Sequence, residues 1–316
     1  MEKYVIGIDG GGTGSKGITA DLTGRVLTRF KGSATNYNGG KKEEIDANMH
    51  TLLKAACDGR DRAGCQAVCI GSAGVSNKDA VHLLKQAVLD MGYTCPVMIT
   101  ADSVTAHAGA LNNQEGIILI AGTGAICFGK KDNGDTIRTG GYGHIIDDEG
   151  SAYDIARRML RAVVRAADGR GEATVLRELI FERLQISSIE EMISWLYKKE
   201  RTKKEIADLA VLIARAQEAQ DAAAQEILRQ AAQALVEITV PAVEFFGGKA
   251  MIALSGSVLK RNKTVQENYM ESMRRLFPDS FVQAEGVRVK EAEHEADYGA
   301  VLLALKCAET NNNACF

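Results

Sequence analysis

The sequence has no apolar run approaching the ~18 residues of a transmembrane helix, so we expect no membrane span. It also lacks an excess of charge of one sign, and the net charge of −3 gives no electrostatic reason to expect a nucleic-acid or membrane partner. An apolar strand-like segment starts near the first residue, so a signal peptide is not expected. The seven cysteines include no C-x-x-C pair, and we interpret them as reduced thiols of a cytoplasmic protein.

The chain does contain enough apolar material for two domains. Its 316 residues fit two domains of ordinary size, and an apolar content of 46% suffices for two hydrophobic cores. Strand and helix patterns alternate after an opening run of strands, which is typical of mixed α/β layering.

The glycine-rich stretch VIGIDGGGTGSKG, residues 5–17, is the strongest local signal. Glycine lets backbone N–H groups converge on an anion, and a hydroxyl such as that of Thr13 can donate to phosphate. Asp9, at the end of the apolar strand, can hold a cation such as Mg²⁺. The clustered glycines and this aspartate exceed what a turn requires, so we favour phosphate binding over a plain hairpin turn.

Two common nucleotide-binding motifs do not fit this stretch. Residues 12–17 match G-x-G-x-x-G, but a dinucleotide fold needs a helix there, whereas Ile18, Ala20 and Leu22 alternate as in a strand. A Walker loop needs Gly-Lys-Ser or Gly-Lys-Thr, which the sequence does not contain. The sequence therefore predicts glycines at the tip of a β-hairpin.

A second copy of this pattern lies at residues 116–130, GIILIAGTGAICFGK. An apolar strand again enters Gly-Thr-Gly, a second apolar strand leaves it, and a polar turn follows. From Gly11 to Gly122 the copies are about 111 residues apart, which indicates two related domains and not a solenoid repeat. Two such hairpins facing each other would clamp a polyphosphate between the domains.

Together with four further motifs, the two hairpins resemble those of the acetate-kinase, sugar-kinase, heat-shock-chaperone and actin superfamily. Within it, the chain resembles the N-acetylglucosamine kinase and BadF/BadG/BcrA/BcrD ATPase family over nearly its whole length. The motifs, in the family's order, are DGGGTGSK (9–16), a Ser-Ala-Gly segment (71–75), TADS (100–103), AGTGA (121–125), GGYGHIIDDEGSAYDIA (140–156) and SGSVLK (255–260).

The resemblance implies a two-domain ribonuclease H-like, actin-like ATPase fold of the α/β class, with mixed sheets flanked by helices and nucleotide in the interdomain cleft. It also implies ATP and Mg²⁺ as cofactors, a small sugar as substrate, and a homodimer. We expect a first domain over 1–115, joined by a C-terminal helix at 296–308, and a second over 116–295 with a helical insertion at 151–246. Apolar periodicity predicts helical structure over Lys203–Glu218 and Val258–Leu276.

Two aspartates carry the chemistry that the resemblance implies. Asp102, where a strand gives way to a helix, matches the general base that accepts the proton of the sugar hydroxyl. By itself, that position is also typical of a helix N-cap. Asp9 would place Mg²⁺ between the β- and γ-phosphates, although a turn aspartate that bonds its own loop has the same pattern.

The other candidate site residues come from the same motifs. Those matching phosphate- or ATP-binding positions are Gly11, Gly12, Thr13, Lys16, Gly122, Thr123, Gly124, Gly256, Ser257 and Lys260. Those matching sugar-binding positions are Asn36, Gly74, Gly141, Tyr142, His144 and Asp148. Alternatives stay open: Lys16 can be a solvated strand residue, His144 a structural histidine, and the Ser-Gly-Ser stretch a strand-to-helix turn.

The sequence departs from the family pattern at two places. Asp147 stands where the family has glycine, which adds a negative charge beside Asp148. Ala125 and Ile126 stand where the animal N-acetylglucosamine kinases have Ser-Asn, which contacts the sugar. The acceptor can therefore be N-acetylglucosamine, glucosamine or another amino sugar.

These patterns favour an ATP-dependent kinase of an amino sugar. One alternative is a BadF/BadG-type ATPase whose hydrolysis drives a partner enzyme, but the cysteine placement gives little support to the iron–sulfur cluster of such proteins. Another is a sugar-sensing module without kinase activity. The retention of Asp9, Asp102 and both G-T-G tips argues against that reading.

Overall fold

Two five-stranded sheets organise the computed structural model, which describes residues 2–11, 14–37, 41–73, 75, 77–278 and 286–309. The chain divides into two compact units, each built around one sheet. The first unit comprises residues 1–115 and 291–316, and the second comprises residues 116–290.

The first unit opens with an antiparallel meander that continues into parallel strands. Its strands are β1 (Tyr4–Gly10), β2 (Ser15–Asp21), β3 (Val26–Gly32), β4 (Cys65–Ser72) and β5 (Val97–Ala101), in the order β3-β2-β1-β4-β5. Its helices before the second unit are α1 (Lys42–Cys57), α2 (Lys78–Asp90) and α3 (Asp102–Ala110). β1 and β4 are buried along nearly their whole length because helices cover both faces of a parallel sheet, which explains their continuous apolar sequences.

The second unit repeats this arrangement. Its strands are β6 (Gly116–Ala121), β7 (Ala125–Lys130), β8 (Thr136–Gly140), β9 (Met251–Ser255) and β10 (Arg288–Glu291), in the order β10-β9-β6-β7-β8. β6 and β7 pair as a hairpin around the second Gly-Thr-Gly, and β9 lies parallel to β6. The predicted α/β fold with two mixed sheets flanked by helices is thus confirmed.

Helices fill most of the second unit between β8 and β9. They are α4 (Ala152–Ala167), α5 (Leu176–Leu184), α6 (Ile189–Leu196), α7 (Lys203–Ala207), α8 (Ile213–Glu218) and α9 (Ala222–Phe245), followed after β9 by α10 (Ser257–Arg261) and α11 (Lys263–Leu276). The Asp221 side chain caps α9 by accepting the N–H of Ala224.

Two stretches predicted to be helical are helical, but each has an interruption. Lys203–Glu218 is interrupted by a 3₁₀ segment at Asp208–Leu212, whose i,i+3 geometry places the buried Leu209 and Leu212 on one side. Val258–Leu276 breaks at Asn262, which leaves helical geometry and accepts the N–H of Val265 at 3.1 Å as the N-cap of α11.

The C-terminal helix α12 (Ala296–Glu309) packs within the first unit, against β1 and α3. Glycine permits the close approach: a Cβ at Gly7 would collide with the α12 backbone at Val301, and one at Gly299 would collide with the α3 backbone at Thr105. The helix therefore covers the strand that leads into the first glycine-rich tip.

Five cysteines have free thiols, namely Cys57, Cys65, Cys69, Cys95 and Cys127. Cys307 is disulfide-bonded, so the expectation of reduced thiols does not hold at that position. In the part of the chain that the structure describes, no helix combines the length and apolar character needed to span a bilayer.

Candidate active site

The first glycine-rich tip joins β1 to β2. Gly10 pairs with Ser15, and the N–H of Gly11 donates to the carbonyl oxygen of Gly14 at 3.1 Å, which closes the turn. The candidate phosphate ligands Gly12 and Thr13 lie outside the described residues. Sequence analysis missed Thr35, whose buried hydroxyl lies 2.8 Å from that of Ser15 and supports the base of the tip.

Strand register brings Asp102 to the same sheet edge as this tip. In the parallel part of the sheet, Gly10 pairs with Ser72, and Ser72 pairs with Ala101. The carboxyl ends of parallel strands meet at one edge, so Asp9 and Asp102 both lie where ligands bind in open α/β sheets. Asp102 is the first residue of α3 and Ala101 is its N-cap, so the N-cap alternative is not borne out.

The Asp102 carboxylate is exposed and oriented. Its Oδ1 accepts the N–H of Ser103 at 2.8 Å, and the hydroxyl of Thr105 donates to the Asp102 carbonyl oxygen at 2.9 Å. The residue as a whole is exposed to solvent. A carboxylate so placed can accept a proton from a hydroxyl group.

Burial and nearby carboxylates disfavour the ionised form of Asp9. Burial raises the pKa of Asp9 from its ordinary 3.8 to about 6, and repulsion from the carboxylates of Asp102 and Asp297 adds to the effect. Lys16, directly opposite Asp9 across the β1–β2 pair, acts in the other direction on the pKa. Its exposed ammonium is thus close enough to act on the Asp9 site.

These carboxylates fit a divalent cation. Mg²⁺ usually keeps several waters and binds proteins through one or two carboxylates together with substrate phosphates. A cation beside Asp9 would offset the repulsion from Asp102, which Lys16 only partly compensates. Among the described residues, no group of three or more His, Cys, Asp or Glu side chains could hold a metal ion, so a cation beside Asp9 would need water or substrate oxygens as further ligands.

The second tip, Gly122–Gly124, joins β6 to β7. The N–H of Gly122 donates to the carbonyl oxygen of Gly124 at 2.9 Å, two residues on, whereas the bond in the first tip spans three residues. Thr123 is exposed at the apex of the second tip. The carbonyl oxygen of Gly122 accepts the N–H of Ala152 at 2.8 Å, which ties the tip to the start of α4. The tip thus presents a hydroxyl and a constrained backbone.

Gly256 lies against the strand that enters this tip. It has a φ of 90°, and a Cβ there would collide with the backbone of Ala121. Only glycine tolerates both the positive φ and the close approach. Ser257 and Lys260 follow on the short helix α10, both exposed, at the carboxyl end of β9 beside the second tip.

Asp148 is the most constrained candidate residue of the second unit. It is 4% exposed and has a φ of 68°, a left-handed conformation in which aspartate is enriched among non-glycine residues. Its Oδ1 accepts the N–H of Ala125 at 3.2 Å, and its Oδ2 accepts a hydrogen bond from the Lys203 ammonium at 2.6 Å. Lys203 was not predicted, because nothing local distinguishes it from the neighbouring lysines.

The candidate sugar residues Gly141, Tyr142 and His144 lie on the loop between β8 and α4. Asp147 accepts the N–H of Tyr142 at 2.9 Å, so the residue that departs from the family pattern closes this loop. The Arg138 guanidinium lies 4.7 Å from the centre of the exposed Tyr142 ring. His144 packs edge-to-face on Tyr153, with 4.8 Å between ring centroids.

At the second departure from the family pattern, Ala125-Ile126, the isoleucine side chain packs against the glycine-rich loop. The Ile126 side chain lies directly beneath Gly141, where a Cβ would approach it to 2.9 Å. An apolar side chain thus supports the loop at this position. Asn36 is half-buried in the segment after β3, next to Thr35, and Gly74 lies outside the described residues.

A buried ion pair anchors the end of the same loop. Burial by itself would raise the pKa of Asp154, but hydrogen bonds from Arg157 and Arg158 outweigh it and hold the pKa below its usual range. Asp154 also accepts the N–H of Gly150 at 3.1 Å, while Ser151 caps α4 by accepting the N–H of Asp154. The acidic loop therefore enters α4 in a fixed geometry.

Comparison with known proteins shows the family. The model of the BadF/BadG/BcrA/BcrD ATPase family matches residues 6–304, and the chain belongs to this family. An N-acetylmuramic acid/N-acetylglucosamine kinase of Clostridium acetobutylicum is 32% identical over 307 residues, covering 96% of this chain and 98% of that protein. An N-acetyl-D-glucosamine kinase of Dictyostelium discoideum is 27% identical over 322 residues, covering 96% and 99%.

Solved structures show the same fold. A candidate N-acetylglucosamine kinase from Chromobacterium violaceum matches with a TM-score of 0.78 at 24% identity, over 96% of this chain and 99% of that one. An ROK family glucokinase from Streptomyces griseus, in complex with glucose and AMPPNP, matches with a TM-score of 0.57 at 18% identity, over 95% and 98%.

Proposed function

We propose that the protein transfers the γ-phosphoryl group of ATP to a hydroxyl of an amino sugar. The observation that carries this proposal is the placement of Asp9 and Asp102 at one sheet edge, beside a glycine-rich tip. Phosphoryl transfer needs a base for the acceptor, a metal for the phosphates and backbone donors around them. The first unit offers the base and the metal ligand, and both units offer a glycine tip.

Each residue has a distinct part in the proposed reaction. Asp102 accepts the proton of the sugar hydroxyl as its oxygen attacks phosphorus. Asp9 binds Mg²⁺, which offsets the charge on the β- and γ-phosphates. Thr123 and the constrained backbone of the two tips donate to phosphate oxygens, and Lys16 adds positive charge beside Asp9. Gly256 leaves room for the adenosine side of ATP at the end of β9.

The proposed acceptor is an N-acetylglucosamine- or glucosamine-like hexosamine. The curated relatives are kinases of N-acetylmuramic acid, N-acetylglucosamine or glucosamine, which supports an amino sugar as the class. Asn36 offers a polar group for a sugar hydroxyl, and the loop carrying Tyr142 and His144 offers two rings. Asp148, which the family resemblance places at the sugar, is buried here and paired with Lys203, so it would support the site from below. Aromatic faces beside polar donors are suited to a sugar ring.

Three further features belong to the proposal. Mg²⁺ is the proposed metal because it suits the carboxylates around Asp9. A cytoplasmic location is proposed because the reaction consumes ATP, and a homodimer is proposed on the family resemblance. Light scattering of the purified protein would measure the oligomeric state, and a mass of one chain would contradict the dimer.

The test is ADP release from Mg-ATP with glucosamine, N-acetylglucosamine, N-acetylmannosamine, glucose or no sugar. The proposal predicts strong stimulation by at least one amino sugar and little by glucose. Hydrolysis at one rate with every sugar and without sugar would contradict it, and would favour the ATPase that drives a partner enzyme.

A further inference from the structure

The Lys203 ammonium lies beside both the Asp148 carboxylate and the second glycine tip. It donates to Asp148 Oδ2 at 2.6 Å. A Cβ built on Gly124 would lie 3.1 Å from this ammonium and 3.0 Å from Asp148 Oδ1. The lysine, the carboxylate and the tip therefore lie close together, although they come from α7, the loop before α4 and the β6–β7 turn.

The start of α7 holds Lys203 in place from both sides. Thr202 and Glu205 form a capping box, in which each side chain bonds the backbone of the other residue. Arg201 pairs with Glu205 at 2.6 Å, and its guanidinium lies 3.9 Å from the centre of the Trp195 ring. Lys203 is the first residue of a helix whose beginning is fixed by several contacts, so its position is determined by the insertion.

The Lys203 ammonium balances the negative charge of the buried Asp148 carboxylate. An ionised carboxylate as buried as Asp148 needs a partner, and removing the partner of a buried ion pair is strongly unfavourable. The side chain of Lys203 is 28% exposed and that of Asp148 is 5% exposed, so solvent reaches the lysine but hardly the carboxylate. Without Lys203, a negative charge would face the tip that is proposed to receive the triphosphate.

The same pair also sets the shape of the tip. Asp148 accepts the N–H of Ala125 at 3.2 Å, the residue that pairs with Ala121 across the base of the hairpin. A carboxylate held by Lys203 keeps this bond, and with it the backbone donors of the tip, in one orientation. An unpaired carboxylate would turn toward solvent and release that N–H.

We propose that Lys203 is a positioning residue for ATP binding: its ammonium neutralises Asp148 beside Gly124 and fixes the second tip in its phosphate-binding shape. The inference rests on the proposed function only in taking this tip as a phosphate site. The helical insertion would then contribute to nucleotide binding through the Lys203 side chain.

The experiment measures binding of a non-hydrolysable ATP analogue with Mg²⁺ by titration calorimetry, without sugar. Lys203→Met removes the ammonium and keeps the side-chain length, and we expect the Kd to rise about tenfold or more. Lys203→Arg keeps the charge and should stay within about threefold of the wild type. Lys204→Met is the matched control, because Lys204 lies on the same short helix and forms only an exposed pair, with Asp208.

A double variant separates charge from folding. Asparagine tolerates the left-handed conformation of residue 148, and its Oδ1 can still accept the N–H of Ala125. Lys203→Met with Asp148→Asn therefore has no unpaired charge, and it should recover most of the affinity that Lys203→Met loses. If Lys203→Met does not fold, the double variant and Lys203→Arg still decide the question, because both should bind nearly as well as the wild type.

Two results would overturn the inference. One is wild-type affinity in Lys203→Met. The other is an equal loss in the single and double variants, which would mean that the lysine does not act by neutralising Asp148. Failure of the proposed function would look different. The wild type would bind the analogue and Lys203→Met would still weaken that binding, but no sugar would stimulate ADP release.

Discussion

Replacing Asp9 with asparagine should stabilise the protein at neutral pH while weakening its use of Mg-ATP. In the folded protein, burial and the neighbouring carboxylates raise the pKa of Asp9 from 3.8 to about 6. The folded state therefore binds a proton more tightly than the unfolded state, and stability falls as pH rises from about 4 to 6. The full penalty is present from about pH 7, one unit above the folded-state pKa.

The magnitude follows from the difference between these pKa values. It corresponds to about 3 kcal/mol at pH 7.5 as an upper bound, and to about half of that at pH 5, where Asp9 is largely protonated in the folded state. Asparagine removes the charge at similar shape, so Asp9→Asn should gain up to this amount. The gain should shrink as the pH is lowered toward 4.

The assay is urea unfolding at pH 7.5 and pH 5, in chelator and without nucleotide. Because a chain with two units need not unfold in one step, hydrogen exchange of β1 and β4 amides should report on the first unit. Asp21→Asn is the control of opposite sign: a hydrogen bond from Thr23, helped by Arg25, lowers the pKa of Asp21 to about 2, so its loss should destabilise. Equal or lower stability of Asp9→Asn at pH 7.5 would refute the reasoning.

Further substitutions test other parts of the site. Asp102→Asn should abolish sugar-dependent turnover and leave binding of an ATP analogue nearly unchanged; full turnover would remove Asp102 as the base. Gly256→Ala should lower the urea-derived free energy of unfolding by about 2–4 kcal/mol through positive φ and backbone collision, whereas Gly134→Ala, with a φ of 93° and open space, should lose about 1 kcal/mol. Equal losses would contradict the collision. Asp147→Gly frees the Tyr142 N–H and should raise KM for the sugar several-fold but not KM for ATP; an unchanged sugar KM would show that this bond does not order the loop.

The hairpins and the doubled architecture were predictable because their signals are local. Alternating apolar residues on both sides of a glycine cluster indicate strand, tip and strand, and the same pattern recurs near Gly122. Strand–helix alternation then placed Asp102 at the carboxyl end of a parallel strand. The pairing register that aligns Gly10, Ser72 and Ala101 can be read only from the folded sheet. The sheet edge at which Asp102 lies could be predicted from the sequence.

Contacts between distant segments were not predictable. Lys203 and Asp148 are 55 positions apart, and the lysine lies in a lysine-rich stretch without a distinguishing neighbour. The break at Asn262 had a local signal, because asparagine is a favoured N-cap, but apolar periodicity on both sides concealed it. Thr35 supports the first tip through a hydroxyl pair that only packing reveals.

The most direct test of the central claim follows the γ-phosphoryl group itself. ATP labelled on the γ-phosphate is incubated with Mg²⁺, the protein and the amino sugar that stimulates most, and labelled products are separated. Transfer predicts that the label appears in a sugar phosphate, and that Asp102→Asn abolishes this product. Label found only in inorganic phosphate, at a rate independent of sugar, would contradict the account.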